Sequence, residues 1–288
     1  MANLIYALNY TFAKDVMPNF IQPSGFVLLR AFSGVILFFI TYKFFIKEKI
    51  YKKDLFRFSI AGLFGVSINQ LLFFNGLNLS TPINAAIIMT TTPVLVLIMS
   101  YIILKENLTL RKVCGIFLGI IGAVFLILIR GDLSINYNTQ LGNFFVFLNA
   151  SSYALYLVIV KPLMNKYHPV TVMFLVFSFG LVYIFPFGYK ELMMVCWKSI
   201  TVDIYFSILF VLIFTTFLAY LFNSLALKRV NPSIVGIYIY LQPVLGTIFA
   251  VYMQRDILTI NKLLASMIIF IGVYLVSLPS LKINDKLS

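Results

Sequence analysis

Side chains able to hold a solute by hydrogen bonding recur inside apolar runs of this sequence, at spacings that gather them on single helical faces. Asn149, Ser152, Tyr153 and Tyr156 fall at i, i+3, i+4 and i+7, one stripe of an α-helix. Tyr6, Asn9, Tyr10 and Ala13 repeat that spacing near the N-terminus. Thr216, Tyr220 and Asn223 form a third stripe, and Tyr238 and Gln242 a fourth. Gln70 matches Tyr220 in register, Thr92 matches Gln242, and Thr92 shares its run with Asn84 and Thr91. One charge, Arg30, lies within an apolar run. Such groups bind and orient a solute without breaking bonds. Arg30 would offer a fixed positive charge to a carboxylate-bearing or otherwise anionic substrate. Its alternatives are snorkelling to headgroups and a structural pair with Asp15. The competing reading of the stripes is interhelical hydrogen bonding that only holds a bundle together, worth about 0.6 kcal/mol per contact.

The residues that would argue for an enzyme or a pump are missing from the runs. Glu106, Asp132, Glu191, Asp203 and Asp256 fall at run ends or in loops, and the single histidine, His168, sits in a loop. A membrane-embedded enzyme needs a constellation of acid, base or nucleophile, and a proton relay needs an embedded Asp, Glu or His. We therefore expect no catalysis, no cofactor, no metal, and facilitated diffusion or exchange instead of obligatory proton coupling. Glu106 reads as a partner of Lys105 or Arg111, and Asp256 of Arg255 or Lys262, with a gate role as the second reading. Lys14 and Lys161 end their runs and read as interface anchors. Cys114 in a run and Cys196 in a loop fall at opposite faces, which argues against a disulfide framework.

The elements that must position these residues follow from composition. The chain of 288 residues is 61% hydrophobic and 11% charged, where a soluble domain averages about 25% charged. Apolar runs near the length that crosses hydrocarbon recur throughout, and in lipid they must be helices. The runs predict ten spans: 1–14, 24–46, 58–79, 82–104, 110–130, 141–160, 169–189, 204–227, 232–253 and 259–278. The net charge of +13 invites a nucleic-acid reading, but the Lys and Arg sit in short loops beside the runs, where they report orientation. They concentrate in 43–57, 105–112, 161–166, 228–229 and 282–286, on one side. The other side holds Lys14, Arg130, Lys190, Lys198, Arg255 and Lys262. This bias puts both termini in the cytoplasm.

The chain also repeats itself. Residues 76–122 and 226–272 align without a gap: Leu77/Leu227, Pro82/Pro232, Ile87/Ile237, Leu108-Thr109/Leu258-Thr259 and Gly122/Gly272. Pro93 and Pro243 match as well, each followed by Val-Leu; both lie mid-span, where proline kinks a helix and can act as a hinge. Tyr6-Ala7-Leu8 with Lys14 recurs as Tyr153-Ala154-Leu155 with Lys161. The first span is roughly eight residues shorter than its counterpart, too short for a comfortable crossing, so the sequence predicts a start upstream of Met1 or a short first helix. Five spans per half is odd, so the halves enter from opposite faces. The expected fold is all-α polytopic membrane protein, ten transmembrane helices in two inverted five-helix repeats, an architecture of secondary transporters. Its parts are a first repeat at 1–130, a loop at 131–140, a second repeat at 141–280 and a polar cytoplasmic tail at 281–288. Spans 1, 3, 4, 6, 8 and 9 carry the polar faces and should wall a central cavity, with 5 and 10 peripheral.

At this point the sequence resembles the EamA-like branch of the drug/metabolite transporter superfamily. The resemblance rests on the two inverted halves, Ala7-Leu8-Asn9-Tyr10 with Lys14, Arg30 early in span 2, and Pro93 followed by residues 104–110 (LKENLTL) and a Gly-rich span with Gly115, Gly119 and Gly122. It departs from the family pattern in its short first span and in Asp256, where the family usually shows Glu. The resemblance implies a multi-pass plasma or inner-membrane carrier that moves amino acids, metabolites or xenobiotics, mostly outward. The 17 Tyr and 30 Phe point to amphipathic or aromatic solutes. The partners expected are a small-molecule substrate and the lipid bilayer, no nucleic acid, with a homodimer left open. The alternative reading is a non-coupled channel or a structural membrane subunit.

Overall fold

The computed structural model describes residues 1–46, 48–128, 137–252 and 259–278, and every element among them is helical. Arg130, Asp132, Arg255, Asp256 and the tail expected at 281–288 lie outside the described residues. Ten helical segments run in order: α1 (Ala2–Val16), α2 (Pro23–Phe45), α3 (55–79), α4 (82–104), α5 (Leu110–Leu128), α6 (Tyr137–Lys166), α7 (Pro169–Met193), α8 (202–229), α9 (232–252) and α10 (Ile260–Ser277). Among the described residues nine helices are long and apolar enough to cross a membrane. The tenth, α1, has 15 residues, about 22 Å at 1.5 Å per residue.

Two boundaries differ from the sequence expectation. The 30-residue α6 begins inside the expected loop, at Tyr137, and runs through Pro162 to Lys166. The 25-residue α7 runs through Pro186. A proline in a helix removes one backbone bond, and each of these helices is long enough to continue past it.

The helices that were expected to kink are broken instead. In α4 the first piece ends at Met89 and the second, Thr92–Leu104, carries Pro93 in its first turn. That is a position where no backbone donor is needed. Thr90 and Thr91 turn their hydroxyls back onto the carbonyls of Ile87 (2.6 Å) and Ile88 (2.8 Å). The break in α9 lies at the corresponding place: Pro232–Ile237, a 3₁₀ turn Tyr238–Tyr240, then Leu241–Tyr252 with Pro243. Two further spans are loosened at mid-length into π-turns, α3 at Leu63–Ser67 and α8 at Val211–Leu218. A π-turn disturbs the i→i+4 ladder, and in lipid its carbonyls need donors from protein. Ser152 Oγ donates to the Phe64 carbonyl (2.7 Å), Tyr220 Oη to that of Gly65 (3.4 Å), and Thr216 Oγ1 to that of Val211 (2.9 Å).

Packing sorts the helices into pairs. The pair α2 and α7 and the pair α5 and α10 run together along their lengths; α3 and α4 lean on α6, and α8 and α9 lean on α1. The α5–α10 seam is backbone against backbone. A methyl group on Gly272 would stand 2.6 Å from the Gly115 carbonyl oxygen and 2.8 Å from the Gly119 nitrogen, so glycine is what permits the approach, as small residues do between membrane helices.

Helix ends are closed by side chains from other elements. Glu48, after α2, accepts the His168 backbone N–H at the start of α7 (3.0 and 3.1 Å). Glu191, near the end of α7, accepts the Gly25 N–H in the first turn of α2 (2.7 Å). Burial, and then Lys228, hold the His168 imidazole below its ordinary pKa, so the neutral ring's Nδ1 accepts the Val170 N–H (3.3 Å). Lys161, expected as an interface anchor, instead donates to the carbonyls of Leu227 (2.6 Å) and Val230 (2.8 Å) that end α8. Lys14 reaches the Asn78 carbonyl at the end of α3 (3.5 Å). Glu106 pairs with Lys112, not with Lys105 or Arg111, and also accepts from Ser233 Oγ (2.8 Å) and Asn231 Nδ2 (3.3 Å) at the start of α9.

Gly272→Ala should lower stability by about 1–3 kcal/mol, the usual cost of overpacking. Thermal melting of the purified protein in detergent checks this, and a wild-type melting temperature would show that the seam yields.

Candidate functional site

A cavity partly open to solvent, with about 700 Å³ of empty space when its open mouth is counted, lies between α1, α2, α3, α4, α6, α8 and α9. The helices α5 and α10 contribute no lining, which leaves them as the packed pair described above. The lining sets polar side chains among aromatic and aliphatic ones, in an otherwise apolar bundle.

Nine of the residues expected from sequence meet there: Tyr6 and Asn9 of α1, Arg30 of α2, Gln70 of α3, Asn149 and Tyr153 of α6, Tyr220 and Asn223 of α8, and Gln242 of α9. Their hydrogen bonds fix their orientation. Asn223 Nδ2 donates to both Tyr6 Oη (3.3 Å) and Tyr153 Oη (3.1 Å). Gln70 Nε2 donates to Tyr220 Oη (3.3 Å), whose proton is directed at the Gly65 carbonyl. Asn149 Nδ2 donates to the Asn69 carbonyl (2.8 Å), and Gln242 Nε2 to Asn3 Oδ1 (3.2 Å).

The amide nitrogens of Gln70 and Asn149 are bonded, and amide oxygens are left over. Asn9 Oδ1, Gln70 Oε1 and Asn149 Oδ1 are buried and accept no hydrogen bond. A buried polar atom without a partner costs about 1–3 kcal/mol, and three around one cavity mark a place where donors are missing.

Arg30 is the charge of the site. It is 3% exposed, so it neither snorkels nor pairs with Asp15. Its Nε donates to Thr216 Oγ1 (2.9 Å), and its guanidinium carbon lies 4.4 Å from the centroid of the Phe74 ring, within cation–π range. No carboxylate among the described residues forms a salt bridge with it. The lining contains no Asp, Glu or His, and no group of three or more His, Cys, Asp or Glu among the described residues could hold a metal ion.

The other expected site residues are placed elsewhere. Ser152 repairs the π-turn of α3, and Thr91 repairs the break in α4. Thr216 stands behind Arg30 as its support. Thr92 is fully buried off the cavity, and Asn84 sits in the first turn of α4, its N–H bonded to Thr81 Oγ1 (3.1 Å). Tyr156 packs its ring where Gly65 lacks a side chain, with its hydroxyl 3.8 Å from Met173 Sδ. It borders a smaller neighbouring cavity together with Tyr6, Tyr153, Tyr220 and Asn223. Tyr238 is 38% exposed and faces away, while Ile239 faces in.

The sequence reading passed over Asn3, Asn69, Thr215, Phe73 and Phe74, which also line the cavity. Asn3 continues the α1 stripe of Tyr6 and Tyr10, so a signal existed. Asn69 and Thr215 lie in or just beyond π-turns, which shift the helical phase and put residues in the lining that a 3.6-residue period turns away.

A family model described as the EamA-like transporter family matches residues 1–128 and 140–278. The uncharacterized transporter YyaM of Bacillus subtilis is 26% identical over 243 residues, covering 84% of this chain and 79% of that protein. An uncharacterized transporter of Archaeoglobus fulgidus is 26% identical over 281 residues, covering 95% and 97%. A WAT1-related protein of Arabidopsis thaliana, At4g30420, is 30% identical over 153 residues, covering 49% and 41%. A solved crystal structure of a protein superposes with a TM-score of 0.78 at 18% identity, over 96% of this chain and 93% of that one; this likeness concerns the fold alone.

Thr216→Val should lower the melting temperature, because a hydrogen bond to a charged group is worth about 1.5–3 kcal/mol. Thr216→Ser should melt near wild type. Equal melting of the Val variant would mean that Thr216 does not hold the guanidinium.

Proposed function

This chain belongs to the EamA-like transporter family, and on that premise we propose that it carries small solutes across the membrane by alternating access through the central cavity. It is an integral membrane transporter. The observation that supports the central site is the cluster of polar side chains in its lining, with one guanidinium that has no counter-ion among the described residues and three unpartnered amide oxygens. A bundle held together only by hydrogen bonds would have no reason to leave them open.

The frame is proposed to be an inverted repeat of five helices, 1–130 and 141–280. Breaks at Met89–Thr92 and Tyr238–Tyr240, and π-turns at Leu63–Ser67 and Val211–Leu218, fall at corresponding positions of the two halves. Interrupted helices at matched places are where secondary transporters bind their substrates. The loosened segments before Pro93 and Pro243 are the proposed hinges. The basic loops favour both termini in the cytoplasm of a cell (plasma or inner) membrane.

Substrates are proposed to be small metabolites, amino acids or related amphipathic and aromatic solutes, or xenobiotics, moved outward. Tyr10, Phe73, Phe74, Tyr153 and Tyr220 give the cavity aromatic walls. With no Asp, Glu or His in the lining, exchange or facilitated diffusion is favoured over proton coupling. A channel would favour a continuous polar path or charged rings, and the short aromatic stripes speak against that alternative.

Gln242→Ala should abolish most counterflow in proteoliposomes at a normal membrane level, whereas Tyr238→Ala, outside the cavity, should leave it near wild type. The opposite ranking would move the site away from the cavity. Flux that does not saturate would favour the channel.

A further inference from the structure

Resting on the reading of the cavity as the transport site, we propose that its substrate is an organic monoanion: a carboxylate at one end, with an uncharged O–H or N–H donor beyond it. Two independent features of the cavity carry this.

The first is charge. Among the described residues Arg30 is the only ionic group in the lining; it is buried, and its guanidinium uses Nε on Thr216 and one face on Phe74. The terminal nitrogens make no hydrogen bond to protein among the described residues, so the fork that matches a carboxylate is free. A charge buried without a counter-ion is strongly unfavourable. A bound anion cancels it, a cation adds to it, and a zwitterion leaves the site's net charge unchanged.

The second is the hydrogen-bond inventory. Gln70 and Asn149 each direct an amide hydrogen away, to Tyr220 Oη and the Asn69 carbonyl, and their oxygens are left without a donor. Asn9 adds a third buried, unpartnered amide oxygen, and all three belong to residues that line the cavity, on α1, α3 and α6. An occupant must therefore bring donors. A hydroxyl or amide N–H does so without adding positive charge beside Arg30. Hydroxy acids and N-acyl amino acids have this chemistry. Simple amines and cationic dyes do not, and a free amino acid supplies its donors as an ammonium group that Arg30 repels.

Four closely related probes on one phenylpropanoyl frame isolate the two features: 2-hydroxy-3-phenylpropanoate, 3-phenylpropanoate, phenylalanine and phenylalaninamide. They would be compared at pH 7 by thermal stabilisation of the purified full-length protein and by counterflow in proteoliposomes. The hydroxy acid should bind and exchange best. The acid lacking the hydroxyl and the zwitterion should be weaker, and the cationic amide should be inactive. R30Q should weaken the hydroxy acid about tenfold to a hundredfold, the loss of one charge-assisted hydrogen bond. R30K should keep the preference for anions.

The proposal is overturned if phenylalanine or phenylalaninamide matches the hydroxy acid, or if R30Q keeps the anion preference. Should R30Q fail to fold, the wild-type ranking decides alone. A neutral or cationic solute whose transport depends on Gln242 would sink the substrate class and leave the cavity as the site. Transport that is indifferent to both Arg30 and Gln242 would sink the reading of the cavity itself.

Discussion

A bilayer supplies no water, so each polar group that the fold brings to its middle must find its partner in protein. That constraint organises this molecule more than any single contact. Four of the spans around the cavity, α3, α4, α8 and α9, are interrupted near mid-length. Each interruption frees backbone groups that would be costly in hydrocarbon. Ser152, Thr90, Thr91, Thr216 and Tyr220 close the gaps in α3, α4 and α8. Hydroxyls suit this task because they rotate to whichever carbonyl is exposed. The amides of Asn9, Gln70 and Asn149 each keep an unpartnered oxygen at the cavity. Polar residues in the spans thus take two tasks: Ser152, Thr90, Thr91 and Thr216 repair the backbone, while Asn9, Gln70, Asn149 and Arg30, with tyrosines, line the solute space.

The same constraint acts at the helix ends, and there it ties one part of the chain to another. Glu48 closes the start of α7 at His168, and Glu191 closes the start of α2 at Gly25. In each contact a glutamate near or beyond the end of one helix of the α2–α7 pair accepts a backbone N–H at the start of the other, so one kind of closure is used twice with the partners exchanged. Lysines do the complementary task at helix C-termini, Lys14 at the end of α3 and Lys161 at the end of α8. Carboxylates at N-termini and ammonium groups at C-termini both agree with the helix dipole. Such exchange supports the proposed inverted repeat, and Glu106 follows the same pattern: it reaches the start of α9 while also pairing with its neighbour Lys112.

How much of this was legible in the sequence depended on whether the helical period stayed regular. Apolar runs gave the spans, and stripes at i, i+3, i+4 and i+7 found the lining contributed by α1 and α6, where the helices are continuous. In α8 the π-turn rotated the phase, so Thr215 faces the cavity and Thr216 turns back to Val211 and Arg30. In α3 it let Asn69 join Gln70. In α9 the 3₁₀ turn carried Tyr238 outward and Ile239 inward. Pro93 and Pro243 marked the right neighbourhood, because a proline makes the preceding turn easy to break. No residue pattern gave the unwinding itself, which depends on tertiary fits such as the Tyr156 ring lying where Gly65 has no side chain. Arg30 was visible as a lone charge. Its partners, 186 and 44 positions away along the chain at Thr216 and Phe74, were not.

The matching starts of the paired helices, Pro23 of α2 and Pro169 of α7, and their matching glycines, Gly34 and Gly180, share one spacing and locate what the two helices do not share. Applied to Arg30, that spacing leads to Val176 of α7, a fully buried residue that does not line the cavity. One helix of the pair therefore places a guanidinium beside the cavity where the other places an isopropyl group. Were both positions arginine, two buried like charges would repel across a low-dielectric gap; were both valine, the cavity would have no ionic end. With one of each, the charge sits toward one side of the proposed repeat. On the proposal that the cavity takes a solute with one charged and one neutral end, that asymmetry favours one orientation, which the proposed pseudo-symmetry alone would not.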